Sequence, residues 1–305
     1  MFIKISLADL SPAMIVFVRT VLAALVLVPL AAYRKGFGGL RAAAGTVLAL
    51  AVVQVAAPFL LISFGELEIT SSLTGILLSS TPLFTALLAI WLDDDERSSG
   101  WRALGLAAGF VGVALLIGVD LAGSEAALLG GLAVALAGLG YALGGFIAKR
   151  NPTRVDPVGL AAATMVVTPL LVAPVAFATA PAAMPSLGTV GAMLVLGLAG
   201  TGVAFAIFHT LIAEVGPARS SLVTYIAPVF SVVYGVTLLG EPFTIGAVMG
   251  LPLILGGSWI AAGGRLPRRT RTETTPTEHR PGPRPVQTTT HPAVARGASE
   301  PRRAA

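Results

Sequence analysis

Very few side chains in these 305 residues can do chemistry. There is no cysteine, which removes thiol nucleophiles, disulfides and Cys-ligated metals at once. Two of the three histidines, His279 and His291, lie near the C-terminus, which leaves His209 as the one imidazole in the apolar body of the chain. Its proton affinity suits a relay; a plain interfacial position is the alternative. Arg19 is the single charge between Pro12 and Tyr33, an otherwise apolar stretch long enough to cross a bilayer. It falls about 10 Å below the outer interface by helix rise. Hydrocarbon cannot solvate a guanidinium, so a charge there is a functional hypothesis by default. An anion or carboxylate contact in a cavity is the chemistry it offers, with snorkelling or structural pairing as the alternative. Glu96 and Glu241 each open the last apolar run of a half, where a carboxylate favours a helix N-terminus. No HExxH pair and no G-x-S-x-G turn accompanies His209, so the sequence offers no catalytic residues, no metal site and no cofactor motif.

The elements that must position these groups are membrane spans. Hydrophobic residues make up 55% of the chain and charged residues 11%. A soluble domain carries about 25% charged residues, so lipid must be the solvent for most of this chain. Apolar runs of about 20 residues mark spans at Pro12 to Tyr33, interrupted only by Arg19, and, without any charge, at Ala42 to Gly65, Ile69 to Leu92, Ala103 to Val119 and Ala126 to Ala148. Pro157 to Ala213 is too long for one helix and splits at the Pro/Ala-rich Ala178 to Gly188; Ser220 to Gly240 and Pro242 to Gly264 follow. That predicts an all-α polytopic fold of nine spans. Ahead of them, FIKISLA (Phe2 to Ala8) reads as the second half of a further span, with Lys4 in it.

Charge orients the spans. Connections holding Arg34, Lys35, Arg41, Arg97, Arg102, Lys149, Arg150, Arg154 and Arg219 alternate with connections that hold only acids: Asp9, Glu66, Glu68, Asp120, Glu125 and Glu241. By the positive-inside rule the basic set is cytoplasmic, and no acid is expected at the midplane of any span. The tail, residues 265–305, has nine Arg against three Glu, whereas the rest has eleven basic against twelve acidic residues. The tail is expected to be a disordered, basic cytoplasmic segment. It has no aromatics and no folded motif, so nucleic acid is not an expected partner; membrane lipid is.

Two stretches repeat. SSTPLFTALLAIWLDDDER aligns with TYIAPVFSVVYGVTLLGEPF when Pro82 meets Pro228, and Glu96 then meets Glu241, Gly105 meets Gly250 and Gly112 meets Gly257. Five spans separate a helix from its copy, so the copies are inverted in the membrane, the architecture of secondary transporters with a site at midplane. Each proline leaves the carbonyl four residues back without its helical partner. Those carbonyls belong to Leu78 and Thr224, with Ser79, Ser80, Thr81 and Tyr225 beside them as hydroxyl donors. Two such kinks facing a central cavity are the functional expectation; packing alone is the alternative. The Gly-x-x-x-Gly pairs at Gly105, Gly140 and Gly246 read as close-packing faces within the bundle, with homodimer contact as the alternative.

PLFTALLAIWLDDDERSSGWRALGLAAGFVGVALL and AEVGPARSSLVTYIAPVFSVVYGVTLLGEPFTIGAVMGLPLILGGSWI resemble the EamA repeats of the drug/metabolite transporter superfamily, over most of Leu10 to Gly263. The resemblance implies ten helices in two five-helix units, both termini cytoplasmic, and export of small metabolites. It assigns 1–119 to a first repeat with a shortened first helix, 126–264 to a second and 265–305 to the tail. The chain departs from the pattern in that short first helix and in DDDE where Gly-Asp/Glu is usual. Together these readings predict a secondary-active exporter of an amino-acid-like or other zwitterionic compound in the plasma membrane of a bacterium. Arg19, Leu78, Ser79, Pro82, Thr224, Tyr225 and Pro228 are its candidate substrate contacts and His209 a coupling group. The rival reading is a membrane scaffold or sensor that kept the repeat without transport.

Overall fold

The structure, a computed structural model, describes residues 1–92, 100–121, 123–150, 155–242 and 244–261. Glu96, the side chain of Tyr225 and the tail lie outside the described residues. Fourteen α-helical segments follow one another: α1 (Phe2–Ser6), α2 (Pro12–Tyr33), α3 (Ala44–Leu50), α4 (Ala57–Glu68), α5 (Ser71–Leu78), α6 (Thr81–Leu92), α7 (Gly100–Asp120), α8 (Glu125–Lys149), α9 (Pro157–Ala178), α10 (Leu187–Leu194), α11 (Ala204–Val215), α12 (Pro217–Ser220), α13 (Ala227–Leu239) and α14 (Ile245–Ala261). A π-helical turn, Ala51–Ala56, joins α3 to α4, and another, Val195–Val203, joins α10 to α11. Counted as continuous rods, seven helices are long and apolar enough to cross a membrane, and α13 and α14 are two shorter apolar ones. The nine expected spans are thus present among the described residues.

Local sequence sets their starts. Ser11, Thr70, Ser124 and Ser186 each accept a hydrogen bond from the backbone N–H three residues on, and Asp156 accepts from Val158 and Gly159. These caps satisfy amide groups that have no partner inside a helix. Pro12 and Pro157 occupy the first turns of α2 and α9, where the missing N–H costs nothing.

The two copies correspond element by element at the 145-residue offset. Both α2 and α9 begin on proline and run 22 residues, and they pack on each other. Each π turn falls in the equivalent span. Helices α7 and α14 pack on each other through glycines. A Cβ on Gly112 would come within 2.9 Å of the Gly250 carbonyl, and one on Gly257 within 2.5 Å of the Gly105 carbonyl. Since Gly112 corresponds to Gly257 and Gly105 to Gly250, these are one contact seen twice, as a two-fold relation requires. The glycine pairs are close-packing faces inside the bundle, as expected.

Connections of like charge meet at the same end. At the acidic end, Asp9 accepts from the Ser186 amide (2.9 Å) and the Thr189 hydroxyl (2.6 Å). Asp120 accepts from Thr244 Oγ1 (2.5 Å) and the Gly246 amide (3.0 Å). At the basic end, Arg34 pairs with Asp156 at 3.2 Å.

Three expectations change. Glu241 does not open its own helix: α14 starts at Ile245 and is capped by Asp120. Glu241 instead caps α5 from across the repeat boundary, accepting from the amide and hydroxyl of both Ser71 and Ser72 at 2.6–2.9 Å. Glu66 is no loop acid; it lies in the last turn of α4, 3% exposed. The third change is one of form. Pro82 stays near the middle of the Ser71–Leu92 span, but the kink is a short interruption, at 79–80 before α6 and a 3-10 turn, Ser221–Tyr225, before α13, so that each proline occupies the first turn of a restarted helix. A proline is tolerated at a helix start and not within, so the chain restarts the helix there.

Candidate functional site

The π turns build the centre. A π turn adds one residue to the helical circuit and turns an extra side chain inward, a distortion frequent at functional sites. The first brings in Gln54, the second Thr201, both fully buried. Gly144 of α8 makes room for Gln54: a Cβ there would come within 2.5 Å of its side chain.

Arg19 of α2 is 6% exposed and donates through Nε (3.2 Å) and Nη2 (3.1 Å) to Thr201 Oγ1. Thr201 passes its own proton to the Leu196 carbonyl at 2.8 Å, five residues back in the π turn. The guanidinium carbon lies 3.5 Å above the Phe59 ring, a cation–π contact. Phe59 meets Phe205 edge-on at 5.9 Å and Tyr141 at 6.4 Å. Phe205 stacks on His209 at 5.8 Å, and His209 Nε2 is 3.1 Å from Gln54 Oε1. His209 is buried, 2% exposed. Beyond it, between the ends of α8, α9 and α11, lies a cavity of about 190 Å³ lined by Lys149, Pro157, Leu160, His209 and Ile212. A continuous path of aromatic and polar groups thus links Arg19 to the basic end.

In the other direction, α4 presents one face inward: Phe59, then Ser63, then Glu66, each buried. Ser63 Oγ, Glu66 Oε2 and Gln54 Nε2 have no hydrogen-bond partner among the described residues. Lys4 Nζ donates to the Glu66 carbonyl (2.5 Å) and the Ile69 carbonyl (3.1 Å), capping the negative end of α4.

The proline breaks form a second group. Ser79 Oγ donates to the Ile76 carbonyl and Ser80 Oγ to that of Leu77, each at 2.5 Å, and Thr81 Oγ1 donates to that of Leu78 at 2.7 Å. The hydroxyls beside Pro82 therefore do satisfy the carbonyls it frees, Leu78 included. In the second copy Thr224 Oγ1 donates to Ser221 at 2.6 Å. Pro82 and Pro228 are both buried, and the breaks pack across the repeat boundary, α5 against α13 and α6 against 221–225. A Cβ on Gly75 would overlap Ser231. The structure thus joins Arg19 to His209, and Pro82 to Pro228, as two separate groups. Between them stands α8, whose Gly138 faces Thr81 and whose Tyr141 faces Phe59.

Sequence reasoning missed Gln54, Phe59, Ser63, Glu66 and Thr201. One signal was legible: Gln54 is the only amide side chain before Asn151. For groups outside the spans, electrostatics are also informative. Burial raises the Glu241 carboxyl, but the hydrogen bonds from Ser72 and Ser71 outweigh it and hold the group below the usual glutamate range. Thr189 and Ser186 do the same to Asp9.

The EamA-like transporter family matches residues 1–118 and 128–263, one copy for each half of the bundle. This chain belongs to that family. It is an integral membrane transporter. It is 24% identical over 203 residues to the uncharacterized transporter YoaV of Bacillus subtilis (strain 168), covering 66% of this chain and 69% of that one. It is 26% identical over 219 residues to an uncharacterized transporter of Archaeoglobus fulgidus, covering 70% and 76%. A crystal structure at 18% identity shares the fold, with a TM-score of 0.61 over 85% of this EamA chain and 93% of the other.

Proposed function

We propose that this EamA transporter is a secondary-active exporter of a small carboxylate-bearing metabolite, amino-acid-like or otherwise amphipathic or zwitterionic, in a bacterial plasma membrane with its tail in the cytoplasm. The observation that carries the reading is Arg19. It is buried at the meeting of the two repeats, oriented by Thr201 and Phe59, and no carboxylate of a described residue lies within 4 Å of it. A guanidinium left without a counter-charge in a low-dielectric core is costly; an incoming carboxylate supplies one. Alternating access follows from the inverted repeat, with the two halves rocking about that centre. The breaks before Pro82 and Pro228 serve as hinges, carrying Leu78, Ser79, Thr224 and Tyr225 with them. His209, between the centre and the cavity at the basic end, is the inner checkpoint and the candidate for coupling.

A metabolite export screen in cells overproducing the full chain tests this. Secretion of a carboxylate-bearing compound that vanishes with Arg19→Ala supports the reading. Export unchanged by that substitution removes Arg19 from substrate contact, and no exported compound at all defeats transport in this direction.

A further inference from the structure

Two buried polar atoms near the acidic end have no role in holding the fold. Glu66 Oε2 and Ser63 Oγ receive and donate no hydrogen bond among the described residues, although Glu66 is 3% exposed and Ser63 fully buried. They are three residues apart on the same face of α4, and helical side chains lean toward the N-terminus. Along that face Ser63 stands between Glu66 and Phe59, whose ring carries the Arg19 guanidinium. The charged groups within electrostatic reach are Lys4, Arg19, Glu241 and the amine of Met1. None neutralises the carboxylate by contact. Lys4 gives two of its three N–H donors to the carbonyls of Glu66 and Ile69, Glu241 is held by Ser71 and Ser72, and no cation of a described residue lies within 4 Å of the Glu66 carboxylate oxygens.

Arg19 and Glu66 are thus two buried charges of opposite sign, neither in an ion pair among the described residues, and Ser63, whose hydroxyl has no partner among them, lies on the α4 face between Glu66 and Phe59. We propose that Glu66 and Ser63 form a half-site for the ammonium group of the substrate, so that the transported compound is a zwitterion with its carboxylate toward Arg19 and its ammonium toward Glu66. This rests on the carboxylate reading of Arg19 and narrows it to a substrate class. A buried charge that meets an opposite charge only when substrate is present discriminates strongly, because a compound lacking that group leaves the carboxylate desolvated and unpaired.

The test uses the purified full-length protein in proteoliposomes. The probes are radiolabelled L-amino acids, their N-acetyl derivatives and the corresponding decarboxylated amines, with counterflow measured at equal pH on both sides. The wild type is expected to take amino acids at least about tenfold better than either derivative. Glu66→Gln should lose that tenfold for amino acids while keeping N-acetyl acids, and Glu66→Asp, which retains the charge, should keep the preference. Arg19→Gln should lose both classes of acid. Amino-acid counterflow unchanged in Glu66→Gln overturns the half-site, as does a wild type that prefers N-acetyl acids or takes none of the panel. If Glu66→Gln loses only accumulation driven by a pH gradient, the cation held there is a proton and the ammonium assignment fails. Amino-acid flux retained by Arg19→Gln instead defeats the Arg19 reading, so the two failures are distinct.

Discussion

The two repeats share a backbone plan and differ in chemistry. At the 145-residue offset Arg19 corresponds to Thr164, which only returns its hydroxyl to the Leu160 carbonyl at 2.8 Å. Further along the copies run one residue out, at an offset of 146: Phe59 corresponds to Phe205 and Ser63 to His209, so the ring pair at the centre is symmetric while the polar groups flanking it are not. The repeats also differ in cover. Leu83 on α6 is fully buried, whereas its equivalent Val229 on α13 is 55% exposed. Helix α8 lies along α6, whereas α13 packs on α5. Two-fold symmetry thus sets where groups can stand, and departure from it makes the two ends of the buried polar chain around Arg19 chemically different. A path of identical halves would bind a substrate in both orientations equally.

Substitutions can break or sharpen this contrast. The largest effect is expected from Arg19→Ala, which should lower flux of a carboxylate substrate by about a hundredfold or more, while Thr164→Val, at the equivalent position, should leave flux nearly unchanged. Transport assays on the pair decide whether the asymmetry is functional. Next, Leu83→Ala should destabilise by about 2–5 kcal/mol through the cavity it leaves. Val229→Ala, facing lipid, should stay within about 0.5 kcal/mol. Thermal unfolding in nanodiscs compares them, and equal losses would mean α13 is covered after all. Where symmetry does hold, effects should match: Gly112→Ala and Gly257→Ala should each cost about 1–3 kcal/mol by overpacking, and a clear inequality would contradict the self-complementary contact.

The smallest effect concerns Glu241. Removing its cap with Glu241→Gln should cost about 0.5–2 kcal/mol. Its carboxyl is held below the ordinary value of 4.5 in the folded protein, so its stabilisation is present above that value and is lost as pH falls through the lowered one. Wild-type unfolding temperature should therefore drop in that acid window, and the Gln variant should show a shallower drop. Parallel curves would remove Glu241 as the cause.

What the residues alone could tell, they told through properties that lipid makes one-dimensional. A span must be apolar for about 20 residues whatever it packs against, so the number of the spans, the repeat and the exceptional character of Arg19 are all legible in the chain, while the helix ends are not. Pro82 likewise announced an unpaired Leu78 carbonyl, because that loss is a local backbone fact. Partners are another matter. Glu241 looked like the cap of the helix just after it, yet it serves α5, 170 residues back along the chain. No periodicity announces a π turn, since the extra residue is tolerated only where a neighbour such as Gly144 yields space. Those turns aim Gln54 and Thr201 inward, and Thr201 meets an arginine 182 residues away. Only the packed bundle, by choosing which faces touch, could turn an isolated charge into a site.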